Sequence, residues 1–211
     1  MNNYFEDRYS QKKQNNESGW NTDKLIDDVY LKVTNVLNRN KVQKGRLLEL
    51  GCGDGKLSVI LARSGFELYG VDISSTAIEW ANQRNVKEGT TASFEVGNVL
   101  DLNFNDNTFD IALDSFCFHC ITENREKFLS ESFRVLKKGG ILIIMSKCGT
   151  PKDPDYPFDP VTRCKIENGA ATRYWGEPND IVNEVKRSGF TVIDYQVFSY
   201  DQDLIVINAK K

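Results

Sequence analysis

Leu47-Leu48-Glu49-Leu50-Gly51-Cys52-Gly53-Asp54-Gly55 decides how this chain is read. An apolar run ends in a loop with glycine at every second position, and residues 55–64 continue with helical spacing. Strand, tight turn, helix is the pattern that brings bare backbone close to a ligand at the carboxyl edge of a sheet. The loop excludes two common ligands. A dinucleotide fingerprint needs a third glycine where Lys56 stands. A phosphate-binding P-loop needs glycine at Leu50 and Ser or Thr at Leu57.

Outward from this loop the chain alternates. Apolar runs predict strands at 46–51, 67–73, 93–99, 109–115 and 140–147; helical spacing predicts helices at 55–64, 75–84 and 124–137. Gly65, Gly139 and Gly140 stand where helix ends need left-handed backbone. Such repeated units imply an α/β fold with a mainly parallel sheet, doubly wound, with helices on both faces. Upstream, Leu25, Ile26, Val29, Val33, Val36 and Leu37 mark a helix over 23–39, with N-cap candidates at Asn21, Thr22 and Asp23. Downstream, a helix is expected at 179–188, then strands at 191–200 and 203–208 joined by only Asp201-Gln202. The sheet therefore reaches seven strands and ends in an antiparallel hairpin. Residues 1–20 are polar with scattered aromatics, either a frayed tail or a cap docked on the body. All five prolines fall between 151 and 178, so 149–177 is not helix or central strand throughout.

The bulk numbers fit one globular domain of 211 residues. A net charge of −3 gives no overall attraction for nucleic acid or acidic membranes. The longest strongly apolar run, 141–145, is too short to span a bilayer, and residues 1–10 have no apolar signal core. Five cysteines, mostly inside apolar segments, suit buried thiols in a reducing cytoplasm better than a disulfide framework.

Asp72 ends the second strand, 21 residues after Gly51. That spacing suits a carboxylate accepting both hydroxyls of a ribose; the alternative is a plain N-cap for the helix that follows. After the third strand, Asn98 offers a side-chain oxygen to an adenine amino group and Val99 an N–H to a ring nitrogen, or Asn98 simply makes a turn.

These elements together resemble the class I S-adenosylmethionine-dependent methyltransferases. The matching residues are Glu49-x-Gly51-x-Gly53-x-Gly55, Asp72, Gly97-Asn98, Phe109-Asp110 opening the fourth strand, and Leu136 to Gly140 before the fifth. The family more often has Asp at Asn98; Asn keeps the acceptor oxygen. The resemblance covers residues 20–148 closely and the tail in outline. It implies a Rossmann-like sheet, S-adenosyl-L-methionine as cofactor, and roles residue by residue. Gly51, Cys52 and Gly53 pass the methionine and ribose, and Glu49 orders that loop. Asp72 holds the ribose, Ile73 packs on the adenine, and Asn98 and Val99 hold its edge. The carbonyls at Asp114 and Ser115 face the methionine amino group and methyl. In small-molecule members an N-terminal Arg, Tyr or Trp closes over the donor, which makes Arg8, Tyr9 and Trp20 candidates, with simple packing as the alternative. The organisation expected is a cap and helix at 1–40, a donor-binding core at 41–148, an acceptor lid at 149–177 and a closing helix with strand pair at 178–211.

A sulfonium methyl is already activated, so such a protein must hold a nucleophile in line, exclude water and sometimes remove a proton. His119, the only histidine, is expected at the cleft edge as a base or a group orienting the acceptor, or as a plain wall residue. Cys117-x-x-Cys120 without a second pair reads as buried thiols, with a soft metal or metalloid as the lesser alternative; no metal is expected. The 149–177 segment supplies acceptor-binding candidates Arg163, Tyr174 and Trp175. The expected protein is a cytoplasmic small-molecule methyltransferase, with no nucleic-acid or membrane partner and its oligomeric state open. A basic stripe beside the cleft would favour a protein or RNA target instead. A closed acceptor pocket without turnover would mark a non-catalytic binding module.

Overall fold

The computed structural model describes residues 4–15, 17, 19 and 22–211. The glycine loop sits where the sequence puts it, between β1 (Arg46–Leu50) and α3 (Lys56–Arg63). The alternation continues through β2 (Glu67–Asp72), α4 (Ser75–Lys87), β3 (Ser93–Val96), β4 (Phe109–Ser115), α5 (Arg125–Val135) and β5 (Leu136–Lys147). After α6 (Pro178–Arg187), β9 (Thr191–Ser199) and β10 (Asp203–Lys210) close the sheet as an antiparallel pair. The strand order is β3-β2-β1-β4-β5-β10-β9, with β1 to β5 mutually parallel and β10 antiparallel to β5. The chain winds outward from β1 in one direction and from β4 in the other. Between these two strands the order reverses, and the crevice beyond their carboxyl ends is where such sheets bind ligands.

Neighbouring residues in one strand feed opposite cores. Leu48, Leu50, Ala112, Leu142 and Ile144 pack with Phe128, Leu129, Ile181 and Val185 from α5 and α6. Leu47, Ile111, Leu113, Ile141, Ile143 and Met145 pack with Val29, Val33 and Val36 of α2 (Asp23–Arg39) and Leu57 and Leu61 of α3. A sheet covered on both faces needs continuous apolar strands, which is why 140–147 lacks alternation. The N-cap of α2 is Thr22, whose side chain accepts from the Leu25 amide at 3.3 Å.

Three segments differ from expectation. Residues 136–138 are strand rather than helix: Leu136 already pairs with Phe109, and a register shift carries the ladder on to Ile111 and Ile141. Residues 4–14 form a helix, α1. The proline-rich stretch builds its own small antiparallel sheet from β6 (Phe158–Asp159), β7 (Cys164–Glu167) and β8 (Ala170–Tyr174), with the prolines between strands or before them. These two pieces meet: the Tyr4 hydroxyl donates to Glu167 at 2.6 Å, joining α1 to β7 above the crevice.

Candidate functional site

A cleft of about 1090 Å³ opens at the reversal point. Its walls include Glu49, Gly51, Cys52, Gly53, Asp72, Ile73, Asn98, Val99, Ser115 and His119, so most of the residues selected from sequence converge on one space.

The loop shape depends on two glycines. Gly51 has φ +71°, and a Cβ there would stand 2.6 Å from Cys117 Sγ. Gly53 has φ +55°, and a Cβ there would stand 2.7 Å from the Tyr9 hydroxyl. Both positions combine left-handed backbone with no room for a side chain. The Gly53 amide donates to one oxygen of Asp72 and the Ser74 amide to the other, each at 2.9 Å. The N-cap of α4 is Ser74, whose hydroxyl accepts from the Ala77 amide at 3.1 Å. Asp72 therefore ties the glycine loop to the β2–α4 turn at the wall of the cleft. Burial raises its pKa, as it does for Asp54.

Glu49 is 3 % exposed, bonded by the Ser58 hydroxyl of α3, and burial pushes its pKa up to about 8. Its contact fixes the start of α3 against β1. Asp54 pairs with Arg84 of α4 at 3.0 Å. Asn98 accepts from the Leu100 amide through its side-chain oxygen at 2.9 Å, so that group makes a turn while its other lone pair faces outward.

Asp114 is fully buried and does not line the cleft through its side chain. Its Oδ1 accepts from the amides of Cys117 and Phe118 at 2.9 and 2.7 Å, and burial pushes its pKa up to about 7. This shapes the short 3-10 turn at 118–120 that carries His119. Arg125 holds the same turn from the other side, donating to the Phe118 and Ile121 carbonyls at 2.8 and 2.9 Å and pairing with Glu184 at 2.8 Å. His119 is 4 % exposed, and its Nδ1 has no hydrogen-bond partner among the described residues. Burial, then Lys147, Arg173 and Arg125, pull its pKa well below the usual imidazole value. A titration of this single imidazole by NMR is therefore expected to show a neutral ring across pH 6–8; a charge change near pH 6.5 would mean the ring is solvated.

The cysteines are protonated thiols: burial raises Cys52 and Cys117 far above their ordinary range and Cys120 to about 12. Among the described residues no group of three His, Cys, Asp or Glu side chains is placed to hold a metal ion.

The caps differ most from the sequence reading. Arg8 stacks over the Tyr4 ring at 5.8 Å and does not line the cleft; Phe5 and Tyr9, on the inner side of α1, do. Trp20 lies outside the described residues. Arg163 donates to the carbonyls of Trp175 and Gly149 at 2.8 and 2.6 Å and pairs with Glu177, so its guanidinium staples the small sheet to the body. Tyr174 faces Arg125 at 4.3 Å, and Trp175 is fully buried beside Tyr156. None of these three side chains reaches the cleft. Arg173 from β8 and Lys147 from the end of β5 do. Arg173 is among the charged and aromatic residues of the expected acceptor segment, and Lys147 closes a predicted strand at its carboxyl end.

Helix α1 is latched by Glu6, which accepts from the hydroxyls of Ser74 and Thr76 at 2.7 and 2.6 Å at the start of α4. Burial opposes the Glu6 charge, but the bonds from Thr76 and Ser74 outweigh it and hold the pKa down to about 2. A carboxylate with a lowered folded pKa stabilises above its unfolded pKa and loses that contribution as pH falls toward the folded one. The hydrogen-exchange protection of residues 4–14, corrected for the intrinsic rate at each pH, is therefore expected to hold from pH 8 to 5 and to fall below about pH 4. Glu6→Ala should lower it at neutral pH; equal protection in both proteins would deny the latch.

Residues 48–144 match the methyltransferase domain family. The chain is 28% identical over 147 residues to the 2-heptyl-1-hydroxyquinolin-4(1H)-one methyltransferase of Mycobacteroides abscessus, covering 68% of this chain and 63% of that one. It is 33% identical over 159 residues to the 24-methylenesterol C-methyltransferase 3 of Arabidopsis thaliana, covering 72% and 44%. The chain thus spans less than two thirds of the length of these relatives. The solved structure of the Burkholderia thailandensis 1,6-didemethyltoxoflavin-N1-methyltransferase, with its substrate and S-adenosylhomocysteine bound, shares the fold with a TM-score of 0.74 at 17% identity, covering 98% of this chain and 87% of that one. Residues 48–144 thus carry a methyltransferase domain. Its cofactor is S-adenosyl-L-methionine, and the bare glycine backbone and the buried carboxylates of Asp54 and Asp72 fit that cationic nucleoside.

Proposed function

We propose that this chain transfers a methyl group from S-adenosyl-L-methionine to a small-molecule acceptor by in-line displacement. The observation that carries the reading is the bare backbone at 51–53 bonded to Asp72 at the strand reversal, with the cleft continuing to His119. The cofactor supplies a methyl already activated on a sulfonium sulfur: the acceptor lone pair forms the new bond and the old bond's electron pair stays on sulfur. The chain has to bind, orient and exclude water. In this reading Asp72 holds the ribose hydroxyls, Ile73 packs on the base, Val99 and Asn98 meet its edge, and Ser115 and the Asp114 carbonyl face the amino-acid end. Phe5 and Tyr9 of α1 close the cleft from above. His119, kept neutral, takes a proton where the acceptor is a hydroxyl or an ammonium.

A cytoplasmic setting is supported by five cysteines that are all free thiols. No helix among the described residues is long and apolar enough to cross a membrane. The test is a tritiated-methyl transfer screen across a metabolite library, with protein and RNA fractions in parallel. Labelling confined to small molecules is expected, and labelling of a macromolecular fraction alone would overturn the reading. With an acceptor that must lose a proton, His119→Gln should lower turnover by about 10²–10⁴-fold with donor affinity intact. Loss of donor affinity instead would make His119 a wall residue.

A further inference from the structure

Charge along the cleft is uneven. Toward β1 and β2 its wall carries Asp54 and Asp72, with Lys56 beside them and Glu49 kept mostly protonated by burial. Beyond β4, Lys147 from β5 and Arg173 from β8 bring two cations to the wall beside His119. Lys147 makes no ion pair among the described residues; it lies over the Trp175 ring at 5.2 Å. The Arg173 side chain is 15% exposed, and its nearest carboxylate, Glu167, stands 3.6 Å away. Glu167 is already engaged by Lys165 at 2.7 Å and the Tyr4 hydroxyl at 2.6 Å. Other shielded arginines have close partners of their own: Arg125 has Glu184 at 2.8 Å and Arg84 has Asp54 at 3.0 Å. Burial, with repulsion from Arg173 added, lowers the Lys147 pKa to about 8. Two like charges held together in a partly desolvated wall are unfavourable unless an anion joins them.

We propose that the methyl acceptor is an organic anion, a small molecule whose carboxylate or phenolate seats between Lys147 and Arg173 with His119 alongside. This rests on the methyl-transfer reading and names its acceptor class. The sheet order supports the placement: adenosine groups belong to the ends of β2 and β3 and the amino acid to β1 and β4, which leaves the end of β5 for the second substrate.

The test uses three probes of one shape and different charge. Benzoate, benzyl alcohol and benzylamine are titrated by calorimetry into protein saturated with S-adenosylhomocysteine. Benzoate is expected to bind at least tenfold tighter than the alcohol, and the amine not measurably. The double variant Lys147→Met, Arg173→Met should bring benzoate to the level of the alcohol with S-adenosylhomocysteine affinity within twofold of the parent. Lys147→Arg, which keeps the charge, should keep the preference and controls for folding. Benzoate binding no tighter than the alcohol, or not at all, overturns the proposal, as does a preference that survives in the double variant. A tenfold loss of S-adenosylhomocysteine affinity in the double variant also overturns it, because the cations would then serve the carboxylate of the donor. Failure of the parent protein to bind S-adenosylhomocysteine is a separate result, seen before any probe is added; it removes the donor reading and this inference with it.

Discussion

Replacing Gly53 with valine is expected to abolish S-adenosylhomocysteine binding in a calorimetric titration, with the protein still folded. The residue sits at φ +55°, which costs an ordinary residue about 1–2 kcal/mol and a β-branched one more. Its new Cβ would stand 2.7 Å from the Tyr9 hydroxyl, so the loop or the buried Tyr9 side chain must shift. Movement of the loop also breaks the Gly53 amide bond to Asp72, which orients the carboxylate. Gly65→Val is the control. Gly65 has φ +99°, and a Cβ added there would meet nothing within 4 Å, so it shares the backbone strain without filling the cleft. Intact binding in Gly53→Val, or equal loss in both variants, would remove the loop from the site.

Asp72→Ala is expected to weaken S-adenosylhomocysteine by about 1–3 kcal/mol, the loss of the charged acceptor for the ribose hydroxyls. Two amides, Gly53 and Ser74, lose their partner before any ligand is counted. Asp72→Asn is the milder change: it keeps the volume and one acceptor oxygen, so one of the two amide ties, at Gly53 or Ser74, survives while the ribose loses half its acceptor. An intermediate affinity is the expected result. If titration shows both variants binding as the parent does, Asp72 only ties two turns together.

The sheet was legible because burial on both faces writes apolar runs of strand length between helical patterns, and because Gly65 and Thr22 punctuate them. The α5–β5 boundary was not, since Lys137 and Lys138 are polar residues at the outer end of a strand. The small sheet was hidden by its prolines and by strands only two to five residues long. Helix α1 buries only Tyr9, so it carries no apolar stripe to read. Within β8 the candidate was off by one residue. Arg173 faces the cleft and Tyr174 faces Arg125 because successive side chains in a strand point to opposite sides, and which side faces the ligand depends on pairing that no local pattern records. The donor side was readable for the opposite reason: it is made by backbone and by residues at strand ends, where position in the chain fixes position in space.

An adenosine resting on uncovered backbone at 51–53, held by Asp72, is the feature on which every functional assignment depends. A crystal structure of the protein grown with S-adenosylhomocysteine tests it directly. The predicted result is both ribose hydroxyls within hydrogen-bond distance of the Asp72 carboxylate, the base against Ile73 and the sulfur near Ser115. Density for the nucleoside elsewhere on the chain, or a ribose out of reach of Asp72, would contradict it.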